Sequence, residues 1–139
     1  MNLTDILKRD EGAVAQGGRH RVYQDSLGFQ TVGYGRLLSR GFSQDEVDQM
    51  LTNDIAVARK EAEKFPWYAG LDDTRQDVVT AMIFNIGPTR FAGFHNMIAA
   101  IAKGDWVTAS NEALDSRWAT QVGSRAKRYA NALLTGEWE

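Results

Sequence analysis

One β-prone stretch limits what this chain can become. Arg21-Val22-Tyr23-Gln24 and Gln30-Thr31-Val32-Gly33-Tyr34 carry β-branched and aromatic residues, and Ser26-Leu27-Gly28 between them is a turn signal. That pattern predicts a small hairpin over 21–36. On either side the apolar residues follow helical spacing. Leu3, Leu7 and Glu11 fall at i, i+4 and i+8 with Ile6 beside them, which predicts a short helix over 2–11 with Glu11 in line with its apolar stripe. Gly12 suits the position that ends it.

The rest of the chain reads as helices. Ser43 and Glu46 form a capping box, and Val47, Met50, Leu51, Asp54, Ile55 and Ala58 carry helical spacing to about Lys64. Asp72 or Asp73 caps the next helix, with Val78, Val79, Met82, Ile83 and Ile86 as its apolar positions and Gly87-Pro88 as its end. Further helices are predicted from Asn96 to Lys103, from Asp105 to near Asp115, and from near Ser124 to just before Gly136. The expected class is α+β and predominantly helical, with one small sheet near the N-terminal end.

The 139 residues are enough for one ordinary domain with a core of its own. There is no cysteine, so disulfide frameworks and cysteine-based zinc sites are excluded. Neither His20 nor His95 has metal-ligand spacing. A net charge of −2 argues against a nucleic-acid partner, although Arg117, Arg125, Lys127 and Arg128 make a local basic stretch. The N-terminal residues lack the apolar run of a signal peptide, and no stretch has the length of a membrane span. Of the four tryptophans, Trp118 and Trp138 are expected in the core, while Trp67 and Trp106 are either packing groups or sugar platforms.

Three side chains among the first forty residues form a chemical set. The carboxyl of Glu11 ends an apolar helix, that of Asp25 sits at the hairpin turn, and the hydroxyl of Thr31 lies on the returning strand. Glycosidic cleavage usually needs one carboxyl group that donates a proton and a second that stays ionised to handle water or developing positive charge. The apolar side of the helix and its negative dipole end favour protonated Glu11, whereas a polar turn favours ionised Asp25.

The order Asp10-Glu11-Gly12, then Tyr23-Gln24-Asp25-Ser26-Leu27-Gly28-Phe29-Gln30-Thr31-Val32-Gly33-Tyr34-Gly35, resembles the active-site region of phage-type lysozymes of glycoside hydrolase family 24. The resemblance continues through Met82-Ile83-Phe84-Asn85-Ile86-Gly87, Phe91-Ala92-Gly93-Phe94, Ser116-Arg117-Trp118, Arg125-Ala126-Lys127-Arg128 and Thr135-Gly136-Glu137-Trp138. It implies a lysozyme-like fold: a small β-hairpin lobe (about 12–42), a larger helical lobe (1–11 and 65–139), a connecting helix (about 43–64), and a cleft between the lobes. It also implies a cofactor-free muramidase of bacterial peptidoglycan that inverts configuration. Glu11 would be the proton donor, and Asp25 with Thr31 would position the attacking water. Leu37 and Phe84 would contact sugar, and Arg125 would pair with Glu11 and oppose the effect of burial. The expected partner is the glycan strand. The chain is expected to be a monomer without stable membrane insertion, either held in the host cytoplasm until a holin opens the membrane or carried on the virion.

The sequence departs from the family in several places. Residues 12–24, thirteen in all, separate Glu11 from Asp25, longer than the family's usual spacing, and Ala15-Gln16-Gly17-Gly18-Arg19 is expected to loop out. Arg36 replaces a histidine that makes a structural ion pair in better-known members. The stretch from Leu38 to Ser43 is short, which reduces one cleft wall, and Met97 and Glu112 stand at altered sugar-contact positions. A catalytically silent wall-binding or virion structural module on the same fold, and a lytic transglycosylase, remain alternatives.

Overall fold

The computed structural model describes residues 2–12 and 15–139. Ala13 and Val14, inside the long Glu11-to-Asp25 segment, lie outside the described residues. The chain divides into two compact units, Met1–Val47 and Asp48–Glu139.

In the first unit, α1 (Leu3–Glu11) starts at Asn2, whose side chain accepts the Asp5 N–H, and stops at Gly12 with φ 64°. A left-handed backbone of this kind suits glycine and ends the helix. The extra segment pairs with itself, where a plain loop is expected: β1 (Ala15–Gln16) and β2 (Arg19–His20) form an antiparallel hairpin. The reason lies in Gly17 and Gly18, both at positive φ, which is what a tight two-residue hairpin turn requires. The predicted hairpin follows as three antiparallel strands, β3 (Tyr23–Gln24), β4 (Gln30–Val32) and β5 (Arg36–Leu37), in that order across the sheet. Thr31 faces Tyr23 on one side and Leu37 on the other.

A 3-10 turn at Leu38–Arg40 and Gly41 close the short stretch before α2 (Gln44–Glu63). The capping box forms as the sequence predicts: Ser43 N–H donates to Glu46 Oε1 at 2.8 Å, and Glu46 N–H donates to Ser43 Oγ at 3.2 Å. The division between the units falls within the first turn of α2.

Helix α1 falls in the first unit. Its contacts explain this, because Lys8 lies over the Tyr34 ring and the Glu11 carboxyl lies beside Gly35.

The second unit is helical: α3 (Asp73–Ile86), α4 (Pro88–Ala92), α5 (His95–Lys103), α6 (Trp106–Leu114), α7 (Arg117–Val122) and α8 (Ser124–Thr135) follow α2 and a 3-10 turn at Tyr68–Gly70. The sequence pattern does not predict α4 and α7. They are five and six residues long, too short to show a period. Helix α6 packs on α8 and α5, and α3 packs on α4 and α8. Ala109 and Ala113 on α6, and Ala126 and Ala130 on α8, are buried at i, i+4 spacing. Such small residues let helix axes approach closely. Val78, Val79, Met82, Phe91, Met97 and Leu133 fill the core. Buried polar groups are paired, as they must be: Thr80 donates to Gln76 O and shares a 2.9 Å hydrogen bond with the Tyr68 hydroxyl, and Trp118 Nε1 donates to Asn85 Oδ1 at 2.7 Å.

Trp118 is core as expected, but Trp138 is 43% exposed. It lies beyond the end of α8 and meets the Tyr129 ring edge-on, 5.7 Å between ring centres. Among the described residues, no helix is long and apolar enough to cross a membrane.

Candidate active site

The hairpin fixes Asp25 and Thr31 through one shared residue. Asp25 N–H donates to Phe29 O at 2.9 Å and closes the turn. In return the Asp25 side chain reaches forward, and its Oδ1 accepts the N–H groups of Leu27 and Phe29, both at 2.9 Å. An aspartate side chain that caps its own turn in this way is held in one orientation. Thr31, 1% exposed, donates its hydroxyl proton to the same Phe29 carbonyl at 2.9 Å. With that proton committed, Thr31 Oγ1 faces any further partner as an acceptor.

Glu11 reaches the sheet from α1. Gly35, between β4 and β5, has φ +83°, and a Cβ placed on it would lie 3.1 Å from Glu11 Oε2. A methyl there would press on the carboxyl, which would have to give by a few tenths of an ångström. A pocket of about 410 Å³ opens at this point, lined by Thr4, Leu7, Lys8, Glu11, Tyr34 and Gly35. The four α1 residues lie at i, i+3, i+4 and i+7 and so share one helix face. That spacing is the signal by which counting back from Glu11 would have found Thr4, Leu7 and Lys8. Tyr34, which the sequence places in a β-prone run, falls instead between Gly33 and Gly35 in the turn from β4 to β5.

The sequence expects burial to hold the Glu11 proton. Instead Glu11 is exposed, and α1 has no buried residue. The apolar stripe of a two-turn helix is too narrow to cover a side chain at its last position.

Leu37 pairs with Thr31 across the sheet and is 36% exposed. Glu11, Asp25, Thr31 and Leu37 thus belong to the first unit. Phe84, on α3, and Arg125, on α8, are exposed residues of the second. Met97 is a core residue at 1% exposure, and Glu112 is half-buried beside a 490 Å³ pocket that also includes Arg90, Phe94 and His95.

At the position of the expected histidine, Arg36 Nη2 lies 2.6 Å from Glu46 Oε2, and its Nη1 donates to Gly41 O at 3.4 Å. The guanidinium therefore ties β5 to the cap of α2 across the shortened stretch.

A family model described as phage lysozyme matches residues 13–133, a span that holds Asp25, Thr31, Leu37, Phe84 and Arg125 and begins just after Glu11. The pre-baseplate central spike protein Gp5 of Enterobacteria phage T4 is 25% identical over the whole of this chain, which spans 28% of that protein's length. The probable T4-type lysozymes 1 and 2 of Dictyostelium discoideum are each 24% identical, over 97% of this chain and 95% of their own length. Together with the α+β fold, the extent of the family match shows that this chain belongs to the phage lysozyme family of glycoside hydrolases.

Proposed function

We propose that the chain is a muramidase that hydrolyses the β-1,4 bond between N-acetylmuramic acid and N-acetylglucosamine in peptidoglycan. The carrying observation is the Phe29 anchor shared by Asp25 and Thr31. It supplies two acceptors from one turn, a carboxylate and a hydroxyl oxygen whose own proton is already used. A water between them would give one hydrogen to each, leaving a lone pair free to attack the anomeric carbon. Glu11, in its pocket on α1, would protonate the leaving oxygen, and the saccharide entering that pocket supplies the cover that the helix alone does not. Attack by water opposite the leaving group inverts configuration. In this reading Phe84 contacts sugar and Arg125 supports Glu11.

Loss of turbidity of purified cell walls tests the reading. The wild-type chain is expected to clear them and Glu11→Gln is expected not to, because an amide N–H is far too weak an acid to protonate the leaving group. Clearing by Glu11→Gln at the parental rate would refute the mechanism, and binding without clearing by the wild type would favour a silent wall-binding module.

The match to a spike protein favours a second point, that the chain acts as part of a virion. Its presence in purified particles would support that, and its presence only in lysate would support release at host lysis.

A further inference from the structure

Tyr34 sits at the tip of the β4–β5 hairpin, between Gly33 at φ +63° and Gly35 at φ +83°. Two left-handed glycines let the chain reverse within the three residues that join β4 to β5. The ring is 49% exposed and lines the same pocket as Glu11. Two side chains from separate elements meet it. Lys8 of α1 places its ammonium 5.8 Å from the ring centre, and His20 of β2 places its imidazole 6.0 Å away, tilted by 56°.

His20 closes the β1–β2 hairpin, which lies between Glu11 and Asp25 in the chain. That hairpin is therefore in ring contact with the pocket that holds Glu11. The pocket's other groups suit a sugar: Leu7 is apolar and Thr4 carries a hydroxyl. A pyranose has an apolar face of C–H groups, which the negative face of an aromatic ring attracts, and hydroxyl and acetamido edges that hydrogen-bond.

We propose that Tyr34 is the platform on which a sugar ring of the glycan strand stacks beside Glu11, and that the β1–β2 hairpin positions this platform through His20. The proposal rests on the glycan-cleaving reading above. It makes Tyr34 a binding residue and His20 a positioning residue.

The test measures binding of an N-acetylglucosamine tetramer by titration calorimetry in the Glu11→Gln background, where no turnover intrudes, and KM and kcat on purified walls in the Glu11 background. Tyr34→Ala is expected to weaken tetramer binding roughly five- to tenfold, the size of one aromatic contact. Tyr34→Phe, which keeps the ring, is expected to recover most of that loss. His20→Ala is expected to raise KM about two- to threefold with little change in kcat, and His20→Phe to restore it. Tetramer binding by Tyr34→Ala equal to that of the parent, with wall clearing intact, would overturn the stacking role alone. A parental KM in His20→Ala would overturn the role of the hairpin alone. A parent chain that neither binds the tetramer nor clears walls would remove the glycan reading itself, and this inference with it.

Discussion

The Arg36 guanidinium and the Glu46 carboxylate, 2.6 Å apart, join strand β5 to the first turn of α2. The hydrogen bond from Arg36, followed by the one from the Ser43 N–H, lowers the Glu46 carboxyl from 4.5 to about 2. Arg36 is raised in turn, chiefly by its hydrogen bond to Glu46. Between pH 4.5 and 2 the unfolded chain binds a proton at Glu46 that the folded chain does not, so stability rises with pH across that window. The contribution is complete above about pH 4.5 and is lost as pH falls through 2. Melting temperatures from pH 2 to 7 are expected to show this acid loss in the parent, reduced in Glu46→Gln. Because arginine stays charged, the pair adds no dependence near neutral pH, and Arg36→His is expected to create one.

Gly35 and Gly33 make a matched pair for testing the Glu11 pocket. Both have left-handed backbones, so alanine at either is expected to cost about 1–2 kcal/mol in denaturant unfolding. Only at Gly35 does the new methyl meet Glu11. Gly35→Ala is therefore expected to lose wall clearing well beyond its loss of stability, and Gly33→Ala to lose much less. Equal activities in the two variants would show that the Glu11 contact with Gly35 does not matter.

Asp25→Asn separates structure from chemistry. The asparagine Oδ1 still accepts from Leu27 and Phe29, so the turn is expected to survive with a melting temperature near that of the parent. Wall clearing is expected to fall by at least about a hundredfold, the usual size of a lost general base. Thr31→Val keeps the buried shape and removes the hydroxyl. Phe29 O retains the Asp25 N–H, so the stability cost is expected to be only about 1 kcal/mol by chemical denaturation.

Arg75 closes the C-terminal end of α8. Its Nε and Nη2 donate to the carbonyls of Leu133 and Leu134, and its guanidinium stacks 4.0 Å from the centre of the Trp106 ring. Arg75→Ala is expected to cost about 2 kcal/mol from the lost charged hydrogen bonds and stacking. Arg75→Lys is expected to recover little, because an ammonium has neither the planar face nor the forked donors. Thermal unfolding checks both.

What the sequence made legible is what local chemistry decides. The Ser43–Glu46 capping box, the Asp72 and Asp105 caps, the glycine stops and the pairing of β3 with β4 all depend on residues a few positions apart. The hairpin of Ala15–His20 was hidden because a glycine pair marks a loop and a tight turn alike. Arg36 with Glu46, and Arg75 with α8, join separate elements, and no period records them. In the candidate site, residue type offered Glu11, Asp25 and Thr31, and the resemblance to the family gave them their expected roles. The common anchor at Phe29 and the neighbours Tyr34 and Gly35 required the backbone to be placed first.

In the proposed reaction, water held by Asp25 and Thr31 and opposed by the Glu11 acid cleaves the glycan strand. Mass spectrometry of the muropeptides released from purified walls tests it most directly. Hydrolysis predicts fragments that end in a reducing N-acetylmuramic acid and carry one added water per cut, and none from Glu11→Gln. Fragments ending in 1,6-anhydro sugars would contradict it, because that product forms without any attacking water.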